Sequence, residues 1–193
     1  MKKNLIISVL MTIATTLLLG VIYPLVITAA AQFTMKDKAN GQLIEQNGKL
    51  IGSRIIGQPF VGAGYFHSRP SAAGNGYDPT SSSASNLAPT NQKLIDRVKA
   101  DVATDQADNP GKPVPIDLVT TSGSGLDPHI SPAAADYQVP RIAKARGISE
   151  DDLRRLIAQH TEGRQWGFLG EPRVNVLELN LSLDAYGKGQ AGN

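Results

Sequence analysis

The chain has 193 residues, no cysteine, 5% aromatic residues and a formal net charge of +2. Zero cysteine excludes a disulfide framework and any thiolate metal site. Lys2 and Lys3 account for the excess of positive charge, so the remaining basic residues balance the 17 acidic ones. With no basic-aromatic run either, a nucleic-acid partner has no electrostatic support.

Leu5 to Ala31 contains no charged residue and follows Lys2 and Lys3 directly. As a helix it would reach roughly 40 Å at about 1.5 Å per residue, and a bilayer core is about 30 Å thick. The segment is therefore read as a membrane helix. The lysines before it outweigh Lys36, Asp37 and Lys38 after it, which places the N-terminus in the cytoplasm and exports the bulk of the chain. A cleaved signal peptide competes, with Ala29, Ala30 and Ala31 as the cleavage site. The apolar run far exceeds the about 7–15 residues of a signal core, which favours a retained anchor. Within the helix, Ser8, Thr12, Thr16 and Gly20 recur every four residues. Such small residues let a second helix approach closely, and hydroxyls can bond across the contact. They form a candidate docking face, although Ser and Thr are also simply tolerated in membrane helices. Pro24 is expected to kink the helix or mark its outer end.

Gln32 to Asn40 is a polar exit segment. Gln42–Gln46 and Lys49–Ile56, joined at Asn47-Gly48, carry a strong hairpin signal. Phe60 to Pro70 concentrates Phe60, Tyr65 and Phe66, and Ser71 to Pro89 is a long loop with turn chemistry at Asn75-Gly76 and Asp78-Pro79. Thr90 is placed as the N-cap of a helix over 91–103, whose apolar face is Leu94, Ile95, Val98 and Val102. Ile116 to Thr121 is expected to be a strand. Ser131 caps a helix that starts at Pro132 and breaks at Pro140, with a second piece over 141–146. Ser149 opens another helix, with acids in its first turn, that ends near Thr161. Trp166 and Phe168 are expected to seat the loop 164–172 on the core. Leu177, Leu179, Leu181 and Leu183 alternate with Glu178, Asn180 and Ser182, which predicts a strand over 173–184. The fold class is α+β, with a small, mostly antiparallel sheet of three to five strands and two to three covering helices.

The second glycine-rich loop, Ser122 to Pro132, fits no catalytic motif. Ser122 stands where a nucleophile elbow needs its first glycine, and no Gly-Lys-Ser/Thr follows to make a phosphate loop. His67, His129 and His160 are the only histidines and show no metal-ligand spacing. No nucleophile, base and orienting group stand together, so catalytic and metal residues are assigned as none. The polar loops instead offer candidate partner-facing residues: Tyr65, His67, Arg69, Tyr77, Asp78, Asp127 and His129.

Three long runs carry a resemblance: YFHSRPSAAGNGYDPTSSSASNLAPTN (65–91), SGSGLDPHISPAAADYQVPRIAKARG (122–147) and TEGRQWGFLGEPRVNVLELNLSLD (161–184). In this order, with the N-terminal anchor, they resemble the C subunit of the Kdp-type high-affinity potassium-transporting P-type ATPase, the KdpC family. The resemblance implies an accessory, non-catalytic, single-pass protein of the bacterial inner membrane. Its implied partners are a potassium-binding channel-like subunit, an ATP-hydrolysing P-type ATPase subunit and a very small membrane subunit. The family is also described as an ATP-binding catalytic chaperone that raises the nucleotide affinity of the ATPase subunit. ATP enters by that description only, since ATP is cytoplasmic and no phosphate cradle is visible, and no nucleotide residue is assigned. The implied organisation is a cytoplasmic stretch 1–4, a membrane helix 5–31, a periplasmic domain 32–187 and a flexible tail 188–193. The alternative is a membrane-tethered periplasmic binding or sensor domain unrelated to a pump.

Overall fold

The computed structural model describes residues 1–190 and resolves the chain into two compact units, Met1–Ser53 and Arg54–Asn193. The tail expected at 188–193 ends outside the described residues.

In the first unit, α1 (Lys2–Thr15), a π-helical segment (Thr16–Ile22) and α2 (Tyr23–Thr34) form one continuous helix. It spans 33 residues, none of them buried in its apolar stretch, and is long and apolar enough to cross a membrane. The wide turns lie just before Pro24, which lacks an N–H and crowds the carbonyl of Gly20 four residues back. Pro24 therefore loosens the helix upstream rather than ending it. Helix α3 (Lys36–Ala39) follows. Strands β1 (Leu43–Gln46) and β2 (Lys49–Ser53) then pair antiparallel. Asn47 and Gly48 both take positive φ, 54° and 73°, as a tight two-residue hairpin turn requires. The hairpin is thus where Asn-Gly placed it, but its second strand stops at Ser53, short of Ile56.

The second unit contains α4 (Gln92–Asp108), β3 (His129–Ile130), α5 (Pro132–Arg146), α6 (Glu150–Gln159), β4 (Thr161–Glu162), β5 (Arg173–Asn175) and α7 (Val176–Gln190). The sheet is antiparallel, in the order β3-β5-β4. Ile130, Val139, Ile142, Leu153, Ile157, Val174, Leu179 and Leu183 close a core between the sheet, α5, α6 and α7, and Phe66 enters it from the long loop. Mixed helices over small antiparallel sheets make the fold α+β, as expected.

Several elements differ from the sequence-based expectation. The alternating leucines form helix α7, not a strand. The buried positions are Val176, Leu177, Leu179, Asn180 and Leu183; 176, 179, 180 and 183 follow a helical spacing that is hidden because Asn180 is polar and Leu181 is only half-buried. Helix α5 runs unbroken through Pro140, held by buried Ala134, Ala135, Tyr137, Val139 and Ile142 on both sides of it. It ends at Gly147, in the left-handed conformation of a helix C-cap. The expected strand over 116–121 is a single 3-10 turn, Ile116–Leu118. There the Thr120 hydroxyl donates to the Ile116 carbonyl at 2.7 Å. The cap of α4 is Asn91, which accepts from the Lys93 N–H at 2.9 Å, not Thr90. Trp166 and Phe168 do not touch the core; they are 85% and 67% exposed.

Candidate functional site

The loops 67–89 and 119–128 have almost no regular structure of their own, yet side chains bind them to each other. Ser71 is the centre. Its hydroxyl accepts from the N–H groups of Ala73 (3.2 Å) and Tyr77 (2.8 Å) and donates to the Gly125 carbonyl at 2.6 Å. One oxygen therefore holds its own loop at two points and the second loop at a third. Further along, the Ser83 N–H and the Ser82 hydroxyl both donate to the Ser124 carbonyl at 3.0 Å. Gly125 sits at φ 68°, and a Cβ there would lie 2.6 Å from the Ser83 oxygen and 2.7 Å from the Ala73 nitrogen. Only glycine lets the two backbones come this close.

Arg69, Tyr77, Asp127 and His129 meet at this seam. The Arg69 guanidinium donates to Asp127 Oδ2 at 3.2 Å and, through Nε and Nη2, to the carbonyl and hydroxyl of Thr120 at 3.3 Å. The Tyr77 hydroxyl donates to the Arg69 carbonyl. Asp127 Oδ1 accepts the His129 N–H at 3.0 Å and stands 3.5 Å from His129 Nδ1. Burial alone would raise the Asp127 carboxyl. The hydrogen bonds from His129 and the Arg69 charge outweigh it and hold the pKa below the usual carboxylate range. Burial pushes the Tyr77 hydroxyl up, with the Asp127 charge in support. Arg69, Asp117, Asp127, His129, Glu171 and Arg173 border an open depression of about 510 Å³.

The other candidates stand elsewhere. Tyr65 packs under Arg146, whose guanidinium carbon is 4.5 Å from the ring centre, and its hydroxyl donates to Asp184 at 3.2 Å. Asp78 accepts from the N–H and the hydroxyl of Thr80, and these bonds lower its pKa; it serves its own turn. His67 lies beside a cavity of about 160 Å³ that Asp105, Asp108, Tyr137, Gln138 and Arg141 also line. Its Nε2 is 3.0 Å from the Gly62 carbonyl. In the apolar helix, the hydroxyls of Ser8 and Thr12 donate back to Leu5 and Ser8 carbonyls at 2.9 Å. Beside Gly20 the surface is open, with only a Thr16 methyl group 3.9 Å from a built Cβ.

Two positions that sequence reasoning missed are the amides that fix the aromatic segment. Asn180 accepts from the Phe66 N–H and donates to the Phe66 carbonyl, both at 2.9 Å. Gln138 does the same for His67, at 2.8 and 3.1 Å. Arg141 adds donors to the carbonyls of Ala63 and Tyr65 at 2.6 and 3.1 Å. The only signal in the sequence is an amide on the helical register of apolar neighbours. Chemically these arrangements keep shape. Among the described residues no three His, Asp or Glu side chains gather as a metal site.

The family described as "K+-transporting ATPase, c chain" matches residues 5–185. The chain belongs to the KdpC family. A Koribacter versatilis protein, named as a potassium-transporting ATPase KdpC subunit, is 68% identical over 95% of both chains. Proteins with the same name from Acidobacterium capsulatum and Rhodopseudomonas palustris are 59% and 53% identical, covering 92% and 96% of this chain and 95% and 99% of their own. The resemblance read from the three long runs is thereby borne out. The seam and both amide clamps lie inside the region that KdpC relatives share.

Proposed function

We propose that the chain is an accessory, non-catalytic subunit of an ATP-driven potassium uptake complex. It assembles with and stabilises a channel-like potassium-binding subunit, an ATP-hydrolysing subunit and a very small membrane subunit. The apolar helix crosses the bacterial inner membrane with the N-terminus in the cytoplasm, and the second unit lies in the periplasm. Ser8, Thr12, Thr16 and Gly20 face a partner helix. The seam of Arg69, Tyr77, Asp127 and His129 faces a partner's outer surface. The observation that carries this reading is the seam itself: two long loops fixed in shape by side-chain bonds, with no nucleophile and base placed to react. A surface rigid without regular structure suits docking, because little ordering entropy is lost on association. Any gain in ATP affinity would then act through assembly, since the sequence carries no Gly-Lys-Ser/Thr phosphate-loop motif.

Co-purification in mild detergent tests both faces. Gly123 lies on the seam, and a Cβ there meets nothing within 4 Å. Gly123→Trp is expected to release the other subunits while the thermal midpoint of the chain stays unchanged. Thr12→Leu, Thr16→Leu and Gly20→Leu together are expected to do the same from the membrane side. Full recovery of the complex with both variants would overturn the docking reading.

A further inference from the structure

The loop between β4 and β5 ends in an exposed apolar crown. Trp166, Phe168 and Leu169 are 85%, 67% and 44% exposed. The crown is built, not loose. Gln165 and Leu169 exchange two backbone hydrogen bonds of 2.9 Å. Trp166 and Gly167 take positive φ, 52° and 82°, a conformation a bulky side chain adopts only where the surroundings impose it. The four charged residues between Thr161 and Arg173 pair with one another. Arg164 Nη2 lies 2.8 and 2.7 Å from the two Glu171 oxygens, and Arg173 Nη2 lies 2.7 Å from Glu162. The base of the hairpin thus cancels its own charge and leaves the crown neutral.

We propose that this hairpin tip inserts into the lipid–water interface of the membrane that holds the chain. Indole with apolar neighbours is the side-chain set that settles at that boundary, ring in the acyl edge and N–H toward water. Insertion buries no unpaired charge, because the ion pairs stay at the base. A protein socket would use free charge around the anchor to set orientation and register, and the tip spends all of its charge internally. The preset turn means that little order is lost on insertion. The inference rests on reading the apolar helix as a membrane anchor. Tethering then raises the effective concentration of the tip at the bilayer, so weak affinity is enough.

Trp166 is the only tryptophan, so its fluorescence reports this tip alone. The full chain is reconstituted into vesicles, with and without brominated lipid, and floated on a density gradient. The expected result is a blue-shifted emission, quenched by the brominated lipid and protected from aqueous iodide. Phe168→Ser with Leu169→Ser should reduce the lipid quenching while the chain still floats. A chain that floats but shows water-exposed, iodide-quenched emission overturns the tip proposal and leaves the anchor intact. Protection that appears only when the other subunits are added also overturns it, in favour of a protein socket. A chain that does not float overturns the anchor reading and removes the tether with it.

Discussion

Asn180 is one side chain on which a distant segment depends. It is 1% exposed and holds both polar groups of Phe66, itself fully buried. Asn180→Leu keeps the branched side-chain shape and strands a buried N–H and a buried carbonyl. Each such group costs about 1–3 kcal/mol, so the variant should lose about 2–6 kcal/mol, read as a lower thermal midpoint. An unchanged midpoint would remove the clamp from the account. His67, one residue on, makes stability depend on pH. Burial, then the Arg141 charge, lowers its pKa. The folded chain therefore binds this proton less readily than the unfolded chain, which titrates near 6.5, and stability should fall as the pH drops below about 6.5. His67→Gln should flatten that decline. The check is the thermal midpoint of both chains measured across that pH.

At the scale of elements, α7 shows what a sequence displays and what it hides. As a strand, Leu179 and Leu181 would share one buried face. As a helix, Leu179 is fully buried and Leu181 only half so. Leu179→Ala should therefore cost about 2–5 kcal/mol, the usual range for a buried leucine, and Leu181→Ala clearly less; equal losses would favour the strand. The hairpin at Asn47-Gly48, the Ser131 and Ser149 caps and the α+β class were legible because local chemistry dictates them. Asn91 in place of Thr90 is a one-residue slip between two good capping residues. Pro140 and α7 were not legible, since burial supplied by distant elements overrides local propensity there. The candidate site was half legible. Arg69, Tyr77, Asp127 and His129 do come together, whereas Tyr65, His67 and Asp78 serve other contacts. Ser71 and Thr120 gave no signal, because a serine in a serine-rich loop looks like any other.

Across the second unit, long loops are ordered by bonds to distant backbone. Gly125→Ala would press a methyl group into the backbone of Ala73 and Ser83, which cannot move aside as a flexible side chain could. The loops should part, and limited proteolysis should cut within 71–89 much faster than in the parent chain; equal rates would show that the seam does not hold them. The same long reach appears at the amide clamps, where Asn180 bonds a residue 114 positions earlier and Gln138 one 71 positions earlier. A ribosome makes the two partners of each of those bonds far apart in time. Phe66 is synthesised early and must wait, its neighbours unfixed, until the last helix has emerged. A premature stop before Asn180 would thus unravel the middle of the domain rather than trim its end, and a cell would meet such a product as a substrate for its quality-control proteases.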